Sequence, residues 1–104
     1  MTDRVLSMLG IAAKSRSVVS GEFATEKAVK TGKAFLVIVS EEASDNTKEM
    51  FTNMTSFYEV PLYFYGSKED LGRCIGKQFR ASLAVTDENL AKAVESKLLA
   101  GKTE

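Results

Sequence analysis

Apolar residues recur along the chain with two alternating periods, and the alternation predicts five helices separated by short strands. Val5, Leu6, Leu9, Ala12 and Ala13 repeat at helical spacing behind Asp3, which can cap them, until Lys14-Ser15-Arg16 breaks the pattern. Val18-Val19 reads as a very short strand. Ser20-Gly21 looks like the cap of a helix running to Thr31, with Gly32 as its stop; its acids come early and Lys27 and Lys30 late, as the peptide dipoles prefer. Ala34 to Val39 is an unbroken apolar run between Gly32 and Ser40-Glu41-Glu42, the pattern of a strand covered on both faces. From Ser44 a helix carries Met50, Phe51, Met54, Phe57 and Tyr58 as its expected inner stripe.

Val60 to Tyr65 reads as the next strand, with Pro61 tolerated near its start. Ser67-Lys68-Glu69-Asp70 has capping-box spacing, with Asp in place of the preferred Glu, and opens a short helix through Ile75 that Gly76 closes. Ala81 to Val85 is a last strand. Asp87 caps a closing helix whose inner face is Leu90, Ala91, Val94 and Leu98. Crossover helices must cover both faces of the sheet that such strands form. The expected fold is therefore α/β, a three-layer α/β/α sandwich around a small mixed sheet of about four strands. Residues 1–104 form one domain on this reading, with 100–104 as a flexible tail.

Composition removes most enzyme mechanisms. The chain has no His, which excludes imidazole-based triads, proton shuttles and His-bearing metal sites, and Cys74 is its single cysteine, with no base beside it to activate the thiol. Cys74 reads as a small core residue. No catalytic residue, no metal and no cofactor is expected. The longest apolar run, six residues, is far below the roughly 20 of a membrane span, and the N-terminus lacks a secretory apolar segment, so the expectation is a cytoplasmic protein without a membrane partner.

The fourteen cations and fourteen anions cancel, but they are segregated. Residues 1–35 carry six cations against three anions, 36–62 carry Lys48 against five carboxylates, and 63–85 carry four cations against two anions. If the first and third segments meet, they make a basic face; the alternative is solvated charge with no partner. Three motifs dissolve on inspection. Gly72 to Gln78 has three residues between its glycines and no Ser or Thr after Lys77, so it is not a phosphate loop. Glu41-Glu42 stands at the end of a strand, where ligands often bind, but has no companion base. Asn53-Met54-Thr55 matches the glycosylation sequon by chance, inside a helix.

One ordered set remains: Ser20-Gly21, Lys27, Gly32-Lys33 followed by Ala34 to Val39 and Ser40-Glu41-Glu42-Ala43, Val60-Pro61, and Ser67-Lys68-Glu69-Asp70-Leu71-Gly72-Arg73-Cys74-Ile75-Gly76. Over roughly Val18 to Val94 it resembles the ribosomal protein L-seven-Ae and L-thirty-e superfamily of kink-turn RNA binders. The stretch Leu9 to Arg16 leading into Val18-Val19-Ser20-Gly21 is similar to the YlxQ-type bacterial branch of that superfamily. The resemblance implies a non-catalytic protein of the same sandwich fold that binds structured, kink-turn-like RNA, ribosomal or ribosome-associated, as a monomer and with no small-molecule substrate. It implies that the helix beginning at Gly21 docks its N-terminus beside the bend, and that the loop Lys77 to Ala81 reaches an extruded nucleotide.

By transfer, Gly21, Glu22, Phe23 and Lys27 form the first contact, Lys68, Phe79 and Arg80 the second, and Lys30, Lys33 and Arg73 add charge. The family pattern G-x-N-E-x-x-K is altered here to Gly21-Glu22-Phe23-Ala24-Thr25-Glu26-Lys27. Phe23 and Ala24 cannot make the hydrogen bonds of the Asn and Glu they replace. Phe23 either stacks on an unpaired base or packs at the helix start. The rival reading is a protein-interaction module that keeps the fold and has lost specific RNA binding.

Overall fold

The computed structural model describes residues 3–102. Its elements are α1 (Arg4–Lys14), β1 (Val18–Ser20), α2 (Glu22–Lys30), β2 (Leu36–Val39), α3 (Asp45–Tyr58), β3 (Leu62–Phe64), α4 (Lys68–Cys74), β4 (Ser82–Val85) and α5 (Glu88–Lys102). Each expected element is present; β1 gains Ser20, and β2, β3 and β4 are shorter than expected by two, three and one residues. Strand order is β1-β4-β2-β3, with β4 antiparallel to both of its neighbours and β2 parallel to β3. The last strand in the chain thus lies inside the sheet, with Leu36 opposite Val85 and Val39 opposite Ser82.

Period-two alternation sorts the strands onto two cores. Leu36, Ile38, Leu83 and Val85 pack against Val5, Leu9 and Ala12 of α1, Leu71 of α4, and Ala91, Val94 and Leu98 of α5. Val37, Val39 and Ala84 face the other way, onto Ala28 and Val29 of α2 and Phe51 of α3. These are the three layers. Among the described residues no helix is long and apolar enough to cross a membrane.

The expected stripe on α3 is only partly correct. Phe51 and Thr55 are its buried residues, whereas Phe57 is 79% and Tyr58 41% exposed. Thr55 satisfies its own hydroxyl by donating to the Phe51 carbonyl at 2.7 Å, so a polar residue can fill the inner position, and Phe57, two residues on and about 200° further round the helix, points outward. The expected tail also differs: Ala100 to Lys102 continue α5, and residues 103–104 lie outside the described range.

Two hydroxyls beneath α2, Thr25 Oγ1 and Ser82 Oγ, are buried and have no hydrogen-bond partner among the described residues. An unsatisfied buried hydroxyl costs about 1–3 kcal/mol, and an apolar isostere removes that cost. Thr25→Val is therefore expected to keep or raise stability, by up to about 1 kcal/mol, as read from the midpoint of chemical unfolding; a clear loss would show that the hydroxyl has a partner in solution.

Cys74 is the half-buried core residue expected. Burial first, then the charges of Asp3 and Asp70, push its thiol up to about 11, and Sγ donates to the Leu71 carbonyl at 3.2 Å. Only the thiolate attacks alkylating reagents. At pH 7.5 native Cys74 should be alkylated at least about tenfold more slowly than in the unfolded chain, by mass spectrometry; equal rates would refute the assignment.

Candidate functional site

Strand polarity gathers the candidate residues. Because β4 runs against β1 and β2, and β3 runs with β2, the C-terminal ends of β1, β2 and β3 share one edge of the sheet with the start of β4. The N-termini of α2, α3 and α4 follow those strand ends directly, so they converge there too. Hydrogen bonds tie the converging loops together. Gly21 N–H donates to the Ser82 carbonyl at 2.9 Å, and Glu41 N–H to the Gly66 carbonyl at 3.0 Å. Ser40 Oγ also donates to the Gly66 carbonyl, at 2.9 Å.

The start of α2 is unlike the other helix starts. Asp3, Ser44, Ser67 and Asp87 cap α1, α3, α4 and α5 by accepting a backbone N–H. α2 has no side-chain cap: its N-cap is Gly21, at φ 93° and ψ 157°. That backbone conformation is open essentially to glycine alone, and the space where a Cβ would stand is empty to 4 Å. Of the expected Ser20-Gly21 cap, Gly21 does hold the N-cap position, while Ser20 supplies no capping bond. Ser20 closes β1, and its hydroxyl accepts from Arg80 Nε at 3.1 Å. The first amides of α2 are left facing outward, a site that attracts anions.

Around that opening stand several of the expected residues. Phe23 is 80% exposed, which settles its two readings against packing at the helix start. Glu22 and Lys27 are exposed as well. Arg80 is held on three sides: by Ser20, by its own Nη1 donating to the Phe79 carbonyl at 2.8 Å, and by its backbone N–H donating to the Lys68 carbonyl at 3.0 Å. Phe79 is 66% exposed. Lys68 opens α4, its N–H donating to Glu42 Oε1 at 2.9 Å, so a carboxylate of the acidic segment shares this edge with the cations. The basic and acidic segments do not form two clean opposite faces.

Two expected residues, Lys30 and Lys33, fall elsewhere, and Arg73 sits at the border of the site. Lys30 is the last residue of α2, about 13 Å along the axis from Gly21, and its Nζ pairs with Glu26 at 2.7 Å, which raises its pKa. Lys33 lies beyond that helix end, before β2. Arg73 pairs with Glu69 at 3.1 Å and lines a cleft of about 400 Å³ with Lys77, Gln78 and Phe79. Two positioning residues, Ser20 and Gly72, belong to the ordered motif set but had no contact assigned to them from sequence. Ser20 and Arg80 are 60 residues apart, and Gly72 lies directly beneath the carbonyl of Gln78.

The fold and this edge define a class: a small α/β/α domain that offers an uncapped helix start, flanked by exposed aromatics and a tethered arginine, as a contact surface. The chain belongs to the ribosomal protein L7Ae/L30e/S12e/Gadd45 family, whose model matches residues 3–95. It is 41% identical over 91 residues, 88% of this chain and 91% of the other, to the Bacillus subtilis protein named RNA-binding protein YlxQ. It is 34% identical to the large ribosomal subunit protein eL30 of Sulfolobus acidocaldarius, over 79% of this chain and 81% of that one. Among solved structures, a Bacillus halodurans protein of unknown function superposes with a TM-score of 0.90 at 33% identity, covering 93% of this chain and 98% of the other. The Giardia lamblia 15.5kD RNA binding protein shares the fold, with a TM-score of 0.80 at 23% identity, over 96% of this chain and 86% of its own.

Proposed function

We propose that this chain is a non-catalytic RNA-binding protein that docks the start of α2 and the 77–81 loop on bent, kink-turn-like RNA, as a monomer, with ribosomal or ribosome-associated RNA as its target. The observation that carries the reading is the uncapped start of α2 behind Gly21, beside Arg80. Exposed amides and a tethered guanidinium suit phosphate oxygens, while Phe23 and Phe79 offer rings on which unpaired bases stack at about 1–3 kcal/mol each. The names borne by the Bacillus and Sulfolobus relatives agree with it. Phe23 and Ala24 stand where the family motif reads guanine edges, so recognition here leans on bend and charge.

Titration into a labelled kink-turn and into an equal-length duplex, at two salt concentrations, tests this. Preferential binding to the kink-turn that weakens steeply with salt is expected. Equal weak binding to both, or none, overturns it in favour of a protein-interaction module.

A further inference from the structure

We propose that the outer face of α3 is a docking ridge for a lysine- and arginine-rich segment of a partner protein, a role separate from the RNA contact. Asp45, Glu49, Asn53 and Phe57 follow one another at intervals of four, so they stack as one row along the helix, and all four are exposed. The row is about 18 Å long, the span of roughly five residues of extended chain.

It ends in an aromatic step. The rings of Phe57 and Tyr58 meet edge to face, with centroids 5.0 Å apart and planes at 79°. Among the described residues Phe57 belongs to neither buried core, and its helix is anchored on its other side by Phe51 and Thr55. A large apolar side chain left this open at the end of a polar row marks a contact surface.

Charge decides the occupant. Within residues 36–62 the single cation, Lys48, is occupied, with Nζ 5.9 Å from the centre of the Phe64 ring. Glu49 and Asp45 enter no ion pair among the described residues, and Glu59 stands exposed just past the helix end. Nucleic acid is disfavoured because the row would set carboxylates against phosphates. A second copy would bring identical acidic rows together, and two rings supply far less than the roughly 800 Å² per partner of a standard interface. A basic segment meets both features: its cations pair with Asp45 and Glu49, and an arginine laid over the Phe57 ring gains a cation–π contact.

The test uses the full chain, isotopically labelled, with an eight-residue peptide of alternating arginine and leucine and its glutamate counterpart as probes. Amide shifts confined to residues 45–59, seen with the arginine peptide alone and weakened about tenfold by Glu49→Lys and by Phe57→Ala, are expected. If Phe57→Ala unfolds the chain, Asn53→Lys on the same row takes its place, with a weakening of at least about threefold expected. No shifts, shifts scattered over all carboxylates with Phe57→Ala as wild type, or no weakening by Glu49→Lys or Asn53→Lys would overturn the proposal. So would shifts of 45–59 produced by raising protein concentration alone, or by a uridine-rich oligonucleotide. The RNA reading fails separately, since its contacts lie at Gly21 and Arg80.

Discussion

A Gly72→Ala variant is expected to lose thermal stability and affinity for bent RNA together. Gly72 is buried in α4, and a Cβ there would stand 1.2 Å from the Gln78 carbonyl oxygen, 2.3 Å from its carbon and 3.1 Å from Phe79 N. All three are backbone atoms, so no rotamer change relieves the overlap. The 77–80 segment must lift away, although Lys77 N–H to the Gly72 carbonyl (2.8 Å) and Arg80 N–H to the Lys68 carbonyl (3.0 Å) hold it down. Overpacking of this kind costs about 1–3 kcal/mol or more, which for a domain of about 100 residues lowers Tm by about 10 °C. Because the segment carries Phe79 and Arg80, RNA affinity should fall by a factor of about ten to a hundred if a stacking contact is lost. Gly76→Ala is the control: Gly76 has φ 76° with open space around it, so it strains the backbone without displacing the loop. A Gly72→Ala chain with wild-type Tm and binding would mean that the loop is not seated on α4.

The second large effect is expected at Lys27. It is exposed on the second turn of α2, one helical turn after Phe23, and has no ion pair among the described residues. Lys27→Glu exchanges attraction for repulsion beside the RNA backbone. Affinity should drop by about tenfold or more at low salt, and the slope of log affinity against log salt should shrink by about one. Lys30→Glu, at the far end of the same helix, is expected to bind RNA as wild type while losing the pair with Glu26. Binding titrations of both variants over a salt series decide the matter. Equal losses at Lys27 and Lys30 would indicate a diffuse electrostatic footprint and sink the localised site.

Local rules carried the sequence far here, and they failed where distant residues meet. Asp3, Ser67 and Asp87 announce their helices because a cap acts within three residues, and the run ending at Val39 announces a strand covered on both faces. Ser20-Gly21 announces the start of α2 correctly, with Gly21 at the N-cap, but not that the Ser20 hydroxyl is claimed by Arg80, 60 residues away. Insertion of β4 between β1 and β2 depends on pairings more than 40 residues apart, which periodicity does not encode. The site was legible in its residue types and less so in its extent. Charge alone cannot separate Lys27 from Lys30 and Lys33; the structure does, because Lys30 pairs with Glu26 and Lys33 lies beyond the helix end, whereas Lys27 follows Phe23 by one turn. On α3, hydrophobicity predicted that the aromatics lie inward, but Phe57 falls two residues, about 200° of helix, past the buried Thr55 and so faces out.

The shared direction of the helices gathers peptide dipoles at one edge of this neutral chain. α2, α3 and α4 begin at the same edge, α1 joins them through Asp3, which accepts from the Tyr65 hydroxyl at 2.6 Å, and α5 alone runs the other way. Peptide dipoles aligned in this fashion add partial positive charge at that edge, which the carboxylates there, Glu22, Glu42, Asp45 and Asp70 among them, offset. With no net charge the molecule is not drawn toward a polyanion as a whole. On the proposed function, the bare amides at the start of α2 act only at short range, so contact with a phosphate rather than a long-range field orders the encounter.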